Sequence, residues 1–197
     1  MSAGEQRGRK PRADVQRNRT ALLETAQRHF LQHGVDTSLE AVAKEAGVGP
    51  GTLYRHFPTR EALLAAVLHT RSEELVARQA GIDRLADPAQ ALEQWLRAME
   101  EYFSAFSGLP DPLMAAARAQ EPDNPLTIPC HTLITATDQY VQAAQLTGHV
   151  RDSVRGNDLF LAACSVAWIK GTGTDEESLD RLRTLIASGY RRQDTQA

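Results

Sequence analysis

Apolar residues recur every three or four positions over most of this chain, which is the pattern of amphipathic α-helices. The first such run covers about residues 15–33, and its apolar face is formed by Leu22, Ala26 and Phe30. Gly34 follows and is a natural end for this helix, because glycine accepts the left-handed conformation that closes many helices. Residues 1–13 carry no apolar period, so we expect them to form a flexible arm.

Two short helices joined by a glycine turn are predicted next. Thr37 and Glu40 have the spacing of a capping box, which predicts that Thr37 opens the second helix. Pro50 suits the first position of the third helix, where its missing N–H costs nothing. Leu53 and Phe57 lie four residues apart and face inward. The positions left to point elsewhere are Gly51, Thr52, Tyr54, Arg55 and His56.

The remaining two thirds of the chain also predict helices, separated by short breaks rich in Gly and Pro. We expect these helices over about 59–79, 88–103, 113–120, 130–146, 157–170 and 175–192. Thr174 and Glu177 have the spacing of a second capping box, which would start the last of them. The chain shows no convincing strand alternation and no internal repeat. The predicted fold class is therefore all-α, with about nine helices.

Charge is divided unevenly along the chain. Residues 1–60 hold ten Lys or Arg and six Asp or Glu, a net charge of +4, whereas residues 61–197 hold twelve and nineteen, a net charge of −7. A basic front end on an acidic body is typical of proteins whose front end meets a polyanion such as nucleic acid. Chance asymmetry is the alternative that charge alone leaves open.

Several classes of function have little support. Cys130 and Cys164 are the only cysteines, and without a CxxC pair or a His/Cys cluster we expect no metal and no cofactor. His131 adjoins Cys130, but adjacent residues on a helix do not face each other, so we expect no catalytic site. The chain has no apolar leader and no run of about 18 apolar residues, which favours a cytoplasmic protein without a membrane partner.

Four segments of the front third resemble the N-terminal pattern of the TetR family of regulators. They are Leu22-x3-Ala26-x3-Phe30-x3-Gly34, Thr37-Ser38-Leu39-Glu40-x-Val42-Ala43-x2-Ala46-Gly47-Val48, Gly51-Thr52-Leu53-Tyr54-Arg55-His56-Phe57 and Arg60-Glu61-x-Leu63. The resemblance implies an N-terminal three-helix helix-turn-helix DNA-binding domain over 14–60, with its motif at 38–57. A larger helical domain for effector binding and dimerisation would cover 61–197. The implied function is a sequence-specific transcriptional regulator, usually a repressor.

The resemblance also implies roles for individual residues toward double-stranded operator DNA. Thr37 and Ser38 match positions that contact a phosphate, and Arg60 matches a basic position that holds the DNA backbone. Arg55 has the fork that recognises guanine, and Thr52 has a methyl group suited to thymine. Tyr54 and His56 fit phosphate contacts better, and Gly51 lets the backbone approach a phosphate closely. We expect the basic arm to enter the minor groove through Arg7, Arg9, Lys10 and Arg12.

One departure from the family pattern lies at the start of the third helix. Gly49-Pro50 stands where the family often has Ser-Lys, so a hydroxyl and a positive charge are both missing. The departure puts two common phosphate contacts in doubt without affecting the motif itself.

The C-terminal part offers candidates for an effector pocket, although apolar residues at helical spacing more often form a core. The candidates are Trp95, Met99, Tyr102, Phe103, Met114, His131, Tyr140 and Trp168. The effector itself is unknown. By resemblance, the helices at about 157–170 and 175–192 pair with their copies in a homodimer. The dimer would set two recognition helices about 34 Å apart, which requires a near-palindromic operator.

Two other classes of protein compete with this interpretation. The first is an all-α enzyme, but the sequence offers no metal cluster, cofactor loop or paired catalytic groups to support it. A helical ligand-binding or interaction module that does not bind DNA would make both the motif spacing and the charge division coincidences.

The Gly49-Pro50 departure generates a first prediction, that DNA affinity depends strongly on the basic arm. Deletion of residues 1–12 should weaken binding and flatten the dependence of affinity on salt, because fewer counterions are then released from DNA. Titrations of labelled operator DNA at several salt concentrations measure both quantities. An unchanged salt slope after the deletion would contradict the prediction.

Overall fold

A computed structural model describes residues 10–192 of the chain, with side chains from residue 13 onward. Within this range the chain is all-α, as predicted, and the pairing of Val150 with Arg191 is an isolated bridge. None of the helices in this range is long and apolar enough to cross a lipid bilayer. The described helices are α1 Lys10–His33, α2 Leu39–Glu45, α3 Pro50–His56, α4 Arg60–Ile82, α5 Pro88–Phe103, α6 Pro110–Ala119, α7 Thr127–Leu146, α8 Gly156–Gly171 and α9 Glu176–Tyr190.

A small apolar core joins α1, α2, α3 and the start of α4. The face predicted for α1 is fully buried at Leu22, Ala26 and Phe30, and the inward positions of α3, Leu53 and Phe57, are buried as well. Burying a side chain of this size stabilises the fold by about 2 kcal/mol. The core therefore holds the short helix α3, which has too few residues to be stable alone.

Several helix boundaries follow the local chemistry that predicts them. Thr59 caps α4 by accepting a hydrogen bond from the Ala62 N–H, and Asp87 caps α5 by accepting one from the Ala89 N–H. Gly34 ends α1 with a φ of 77°, in the left-handed region that favours glycine.

Two predicted caps are wrong by one residue. The N-cap of α2 is Ser38 rather than Thr37, and its Oγ accepts a hydrogen bond from the Ala41 N–H at 3.3 Å. The N-cap of α9 is Asp175 rather than Thr174, and it accepts one from the Ser178 N–H at 2.9 Å. In both places two neighbouring side chains carry an acceptor oxygen, so spacing alone does not decide between them.

The first helix starts earlier than predicted. Because α1 begins at Lys10, residues 10–13 of the expected flexible arm are helical instead. Residues 13–17 are all exposed, so this part of the helix has no buried face and therefore no apolar period in its sequence. The other arm residues, 1–9, lie outside the described range.

Helix α8 lies at the centre of the C-terminal part and packs against α5, α6, α7 and α9. It begins with a close approach to α7, where Gly156 donates its N–H to the Asp138 carboxylate. A Cβ at Gly156 would lie 2.5 Å from the Asp138 backbone nitrogen, which leaves room only for glycine. Further along α8, the buried residues are Leu159, Phe160, Ala163, Cys164, Val166 and Ala167.

A contact between two loops joins the N-terminal core to the C-terminal helices. The Val35 N–H, between α1 and α2, donates to the Ser107 carbonyl, between α5 and α6, at 2.9 Å. A Cβ at Gly34 would come within 2.8 Å of the same carbonyl oxygen. Beside it, the rings of Phe30 and Phe106 meet edge to face, with centroids 5.7 Å apart. We call these four residues and Gly34 the loop contact.

The close packing at Gly156 generates a prediction about stability. Gly156→Ala should lower the free energy of unfolding by about 1–3 kcal/mol, because the added methyl group forces α7 and α8 apart. Denaturant unfolding measures this change. Gly81→Ala in α4 is the matched control, since its Cβ would meet nothing closer than 3.8 Å. Equal stability of the two variants would show that α8 does not need glycine at its start.

Candidate nucleic-acid interface

Helices α2 and α3 form a helix-turn-helix unit whose turn is fixed by backbone geometry. Gly47 follows α2 with a φ of 72°, and the Val48 N–H returns to the Ala43 carbonyl at 3.0 Å. Pro50 occupies the first turn of α3, as predicted. The N-cap Gly49 makes no side-chain hydrogen bond to the helix, so the start of α3 has no hydroxyl cap.

The outer surface of α3 collects the residues predicted to touch DNA. Leu53 is fully buried and Phe57 is 2% exposed, so the helix has one fixed orientation. The other side chains of this stretch are partly or fully exposed, and Tyr54 reaches 42%. The predicted contact residues on α3 thus share one accessible surface: Gly51, Thr52, Tyr54, Arg55 and His56.

A carboxylate lies between two of the predicted DNA-contacting hydroxyl groups. Glu40 accepts hydrogen bonds from the Ser38 hydroxyl at 2.9 Å and from the Tyr54 hydroxyl at 3.4 Å. A backbone hydrogen bond within Glu40 and the bond from Ser38 lower the pKa of this carboxyl, so it stays ionised. The carboxylate orders both hydroxyls in the free protein, and a DNA phosphate would have to compete with it.

The hydroxyl of Thr37 is engaged by a buried histidine. Glu45 accepts from Nε2 of His29 at 2.8 Å, and Nδ1 of His29 lies 3.3 Å from Oγ1 of Thr37. A carboxylate only accepts, so in the neutral imidazole the proton is on Nε2 and Nδ1 is the acceptor. Hydrogen bonds from Arg28 and His29 lower the pKa of Glu45, which keeps it ionised. With a neutral imidazole, the Thr37 hydroxyl donates to His29, and its proton is directed away from the outer surface of the motif.

Arg60 supports the same region from the start of α4. Its guanidinium donates to the backbone carbonyls of Val35 and Thr37, the latter at 2.8 Å. Arg60 thus fixes the loop that leads into α2, which adds a structural role to its predicted contact with the DNA backbone. Of the basic arm residues, Lys10 and Arg12 belong to the first turn of α1, whereas Arg7 and Arg9 lie outside the described residues.

Sequence reasoning missed three polar residues of this surface. His29 lies on the buried face of α1, one position before Phe30, and Glu40 was considered only as a capping residue. Lys44 is exposed one helical turn beyond Glu40, so it faces the same side of α2. Of these three residues, only Lys44 could have been chosen from the sequence as a candidate for DNA contact, because it lies in the last turn of the first helix of the motif.

Half of the candidate pocket residues are packed in the interior of the C-terminal helices. Trp95 donates its Nε1–H to the Thr137 hydroxyl at 2.9 Å and stacks on Tyr140 with centroids 5.4 Å apart. Thr137 also lies 3.5 Å from the sulfur of Met99. Phe103 meets Phe160 edge to face. These contacts bring the four candidates together as core.

The other four candidates are dispersed. Tyr102 donates its hydroxyl to the Leu68 carbonyl at 3.1 Å, which ties α5 to α4. Met114 is half-buried against the core, His131 is exposed on α7, and Trp168 is 47% exposed on α8. The structure does not gather these four residues around one cavity.

Both cysteines are buried inside the C-terminal helices. Burial raises the pKa of the Cys130 thiol to about 12 and raises the pKa of Cys164 as well. The Cys130 sulfur lies 3.5 Å from the Leu113 carbonyl, and the neighbouring His131 points to solvent. Neither thiol is available as a nucleophilic thiolate.

Comparison with known protein families assigns both parts of the chain. A model described as bacterial regulatory proteins, tetR family, matches residues 22–67. A second model, described as transcriptional regulator SbtR-like, C-terminal domain, matches residues 87–192. The first match contains all of α2 and α3, and the second contains α5 to α9.

Individual relatives are transcriptional regulators too. The chain is 33% identical to the TetR transcriptional regulator SCO0520 from Streptomyces coelicolor, covering 89% of this chain and 99% of that one with a TM-score of 0.57. It is 31% identical over 120 residues to the HTH-type transcriptional regulator LmrA of Bacillus subtilis, covering 58% of this chain and 63% of the relative. It is 36% identical over 66 residues to UidR of Escherichia coli K12, covering 33% of this chain and 34% of the relative. The chain thus spans about a third of the length of the curated relatives it matches first, the UidR sequences.

The polarity of the Thr37–His29 hydrogen bond generates a prediction that separates stability from DNA contact. Thr37→Val should lower the free energy of unfolding by about 1 kcal/mol, because it leaves the buried Nδ1 of His29 without a partner. Affinity for operator DNA, measured well below the unfolding temperature, should fall less than about threefold, since that hydroxyl proton already serves His29. Thr37→Ser retains the hydroxyl and is the control. A tenfold loss of affinity in Thr37→Val alone would show that the hydroxyl contacts DNA directly.

Proposed function

The chain belongs to the TetR family of bacterial regulatory proteins, and we propose that it is a repressor that a small-molecule effector releases from its operator. In this proposal it acts in the cytoplasm as a homodimer and recognises a near-palindromic DNA sequence. The effector binds among the C-terminal helices.

The fixed and accessible surface of α3 is the observation that supports this proposal most directly. Arg55 is exposed and can place two N–H groups on the O6 and N7 atoms of a guanine. Thr52 is positioned to contact a thymine methyl group, while Tyr54 and His56 serve phosphates. Because Leu53 anchors the helix, these contacts require no rearrangement of α3.

Dimerisation through α8 and α9 is supported by apolar residues that the single chain leaves uncovered. On α8, Leu161, Trp168 and Ile169 recur at helical spacing on one side, and Trp168 is 47% exposed. On α9, Leu182 and Leu185 lie three residues apart on one side of the helix, and Leu185 is 69% exposed. Covering a large apolar side chain in a dimer removes it from water, which favours association.

Effector release would operate by a shift between two conformations of the dimer. One conformation sets the two α3 helices about 34 Å apart, which fits successive major grooves. The effector binds the other conformation more tightly and so lowers operator affinity. The loop contact provides a physical link, because Val35 lies in the segment between α1 and α2 and Ser107 lies in the segment between α5 and α6.

A gel-shift titration with the intergenic DNA beside the protein's own gene tests the proposed function. The wild-type protein should give a sequence-selective shift whose affinity falls steeply with salt. Arg55→Ala should weaken binding by about 1–3 kcal/mol and relax the preference at one base pair of each half-site. Arg118→Ala, which removes an exposed arginine from α6, is the control and should leave binding unchanged.

Two results would contradict the proposal. A complete lack of a salt-sensitive, sequence-selective shift would favour a helical ligand-binding module without DNA recognition. A shift with a single protomer bound to each operator, measured by sedimentation, would contradict the dimer.

A further inference from the structure

A cleft lies where α5, α8 and α9 meet, away from the packed aromatic residues around Trp95. Its volume is about 230 Å³. Leu159, Ala163 and Val166 of α8 form an apolar floor. Because this volume is below the usual range of about 300–1,000 Å³ for ligand pockets, the cleft has room only for a very small organic molecule.

Two ion pairs cross this cleft and attach α9 to α5. Arg183 on α9 places its Nε 2.8 Å from a carboxylate oxygen of Glu100, and Arg191 pairs with Glu93. Leu179 and Tyr190 are the residues of α9 that are buried within the described part of the chain, and the helix packs against α8. The two ion pairs add charged contacts to α5.

The partners of the central pair are distributed unequally. Arg183 also contacts Glu176 at 2.7 Å and Asp180 at 2.8 Å, both on its own helix and both mostly exposed. Glu100 is 7% exposed, and Arg183 is its one ion-pair partner within the described residues. Burial of Glu100 raises its pKa, and the bond from Arg183 opposes that effect.

This asymmetry decides which ligand charge the cleft accepts. A cation that replaces Arg183 beside Glu100 leaves every charge paired, since Arg183 keeps two carboxylates. An anion that takes Arg183 leaves the Glu100 carboxylate buried without a partner, which is strongly unfavourable. Arg97 and Arg191 also line the cleft, but both side chains are exposed, so solvent screens their charges.

We propose that the cleft binds a small organic cation with an apolar body, whose ammonium group replaces Arg183 beside Glu100. The apolar body lies on the floor formed by Leu159, Ala163 and Val166. The bound cation removes one of the two ion pairs that attach α9 to α5. The regulatory consequence rests on the proposed function: because α9 belongs to the proposed dimer surface, binding there alters the spacing of the two α3 helices.

Binding of hexylammonium to the full-length protein without DNA tests the site. Hexylammonium should raise the unfolding temperature in a saturable way, because it binds only the folded state. Hexanoate and hexanol, which share its chain but not its charge, should not. Glu100→Gln should weaken hexylammonium binding at least tenfold, while Glu101→Gln should not change it. Glu101 is the matched control, as it adjoins Glu100 but pairs with Arg78 outside the cleft.

Nuclear magnetic resonance of the wild-type protein provides a second measurement if Glu100→Gln does not fold. The Nε–H resonance of Arg183 should shift saturably with hexylammonium, because that N–H loses its bond to Glu100. Absence of this shift at high hexylammonium concentration, or equal binding of hexanoate, would overturn the proposed site.

Operator release is measured separately, so the two proposals can fail independently. Glu100-dependent hexylammonium binding without any change in the gel shift would support the site and contradict its regulatory role. Binding that is indifferent to Glu100 would overturn the site even if the protein still represses.

Discussion

The loop contact, centred on Val35 and Ser107, joins the N-terminal core to the C-terminal helices through both backbone and aromatic side chains. At its centre is one backbone hydrogen bond, from Val35 to Ser107. Gly34 lies beside it, so the two backbone segments approach more closely than a side chain at that position would allow. The rings of Phe30 and Phe106 meet edge to face beside this hydrogen bond and add apolar surface to the contact. In the proposed function, a displacement of the C-terminal helices would reach the segment before α2 through this backbone contact.

The surface that we propose to face DNA is ordered by contacts within the chain itself. Ser38 and Tyr54 are held by Glu40, Thr37 is held by His29, and the loop before α2 is held by Arg60. Such ordering lowers the entropy lost on binding. If the two hydroxyl groups contact DNA as proposed, a phosphate would have to replace the Glu40 carboxylate at both of them.

The helices and the N-terminal core could be predicted because local spacing decides them. The intervals between Leu22, Ala26 and Phe30 and the cap at Thr59 need no knowledge of distant residues. Spacing did not distinguish Thr37 from Ser38 as the cap, because both carry a hydroxyl group; in the structure the Thr37 hydroxyl contacts His29, eight residues earlier, and Ser38 is the cap. The polar start of α1 was missed because a helix surrounded by solvent has no apolar period.

Of the candidate binding sites, the surface of α3 could be predicted from local spacing, whereas the cleft at α9 could not. The outward residues of α3 follow from the inward ones, so the sequence predicts that surface well. The pocket candidates were chosen for apolar and aromatic character, and half of them form core for that very reason. The cleft at α9 instead depends on Glu100 and Arg183, which are 83 residues apart. No spacing rule connects two such positions, and only the packed structure brings them together.

The buried state of Cys130 and Cys164 has a consequence for how the molecule can be observed. With both thiols protonated and enclosed, thiol-directed reagents find no accessible native cysteine on the folded chain. The folded conformation is thus insensitive to thiol–disulfide exchange. One cysteine introduced on the open face of α3 would be the single reactive thiol of each protomer. Spectroscopic labels attached there would report the distance between recognition helices directly, with and without ligand.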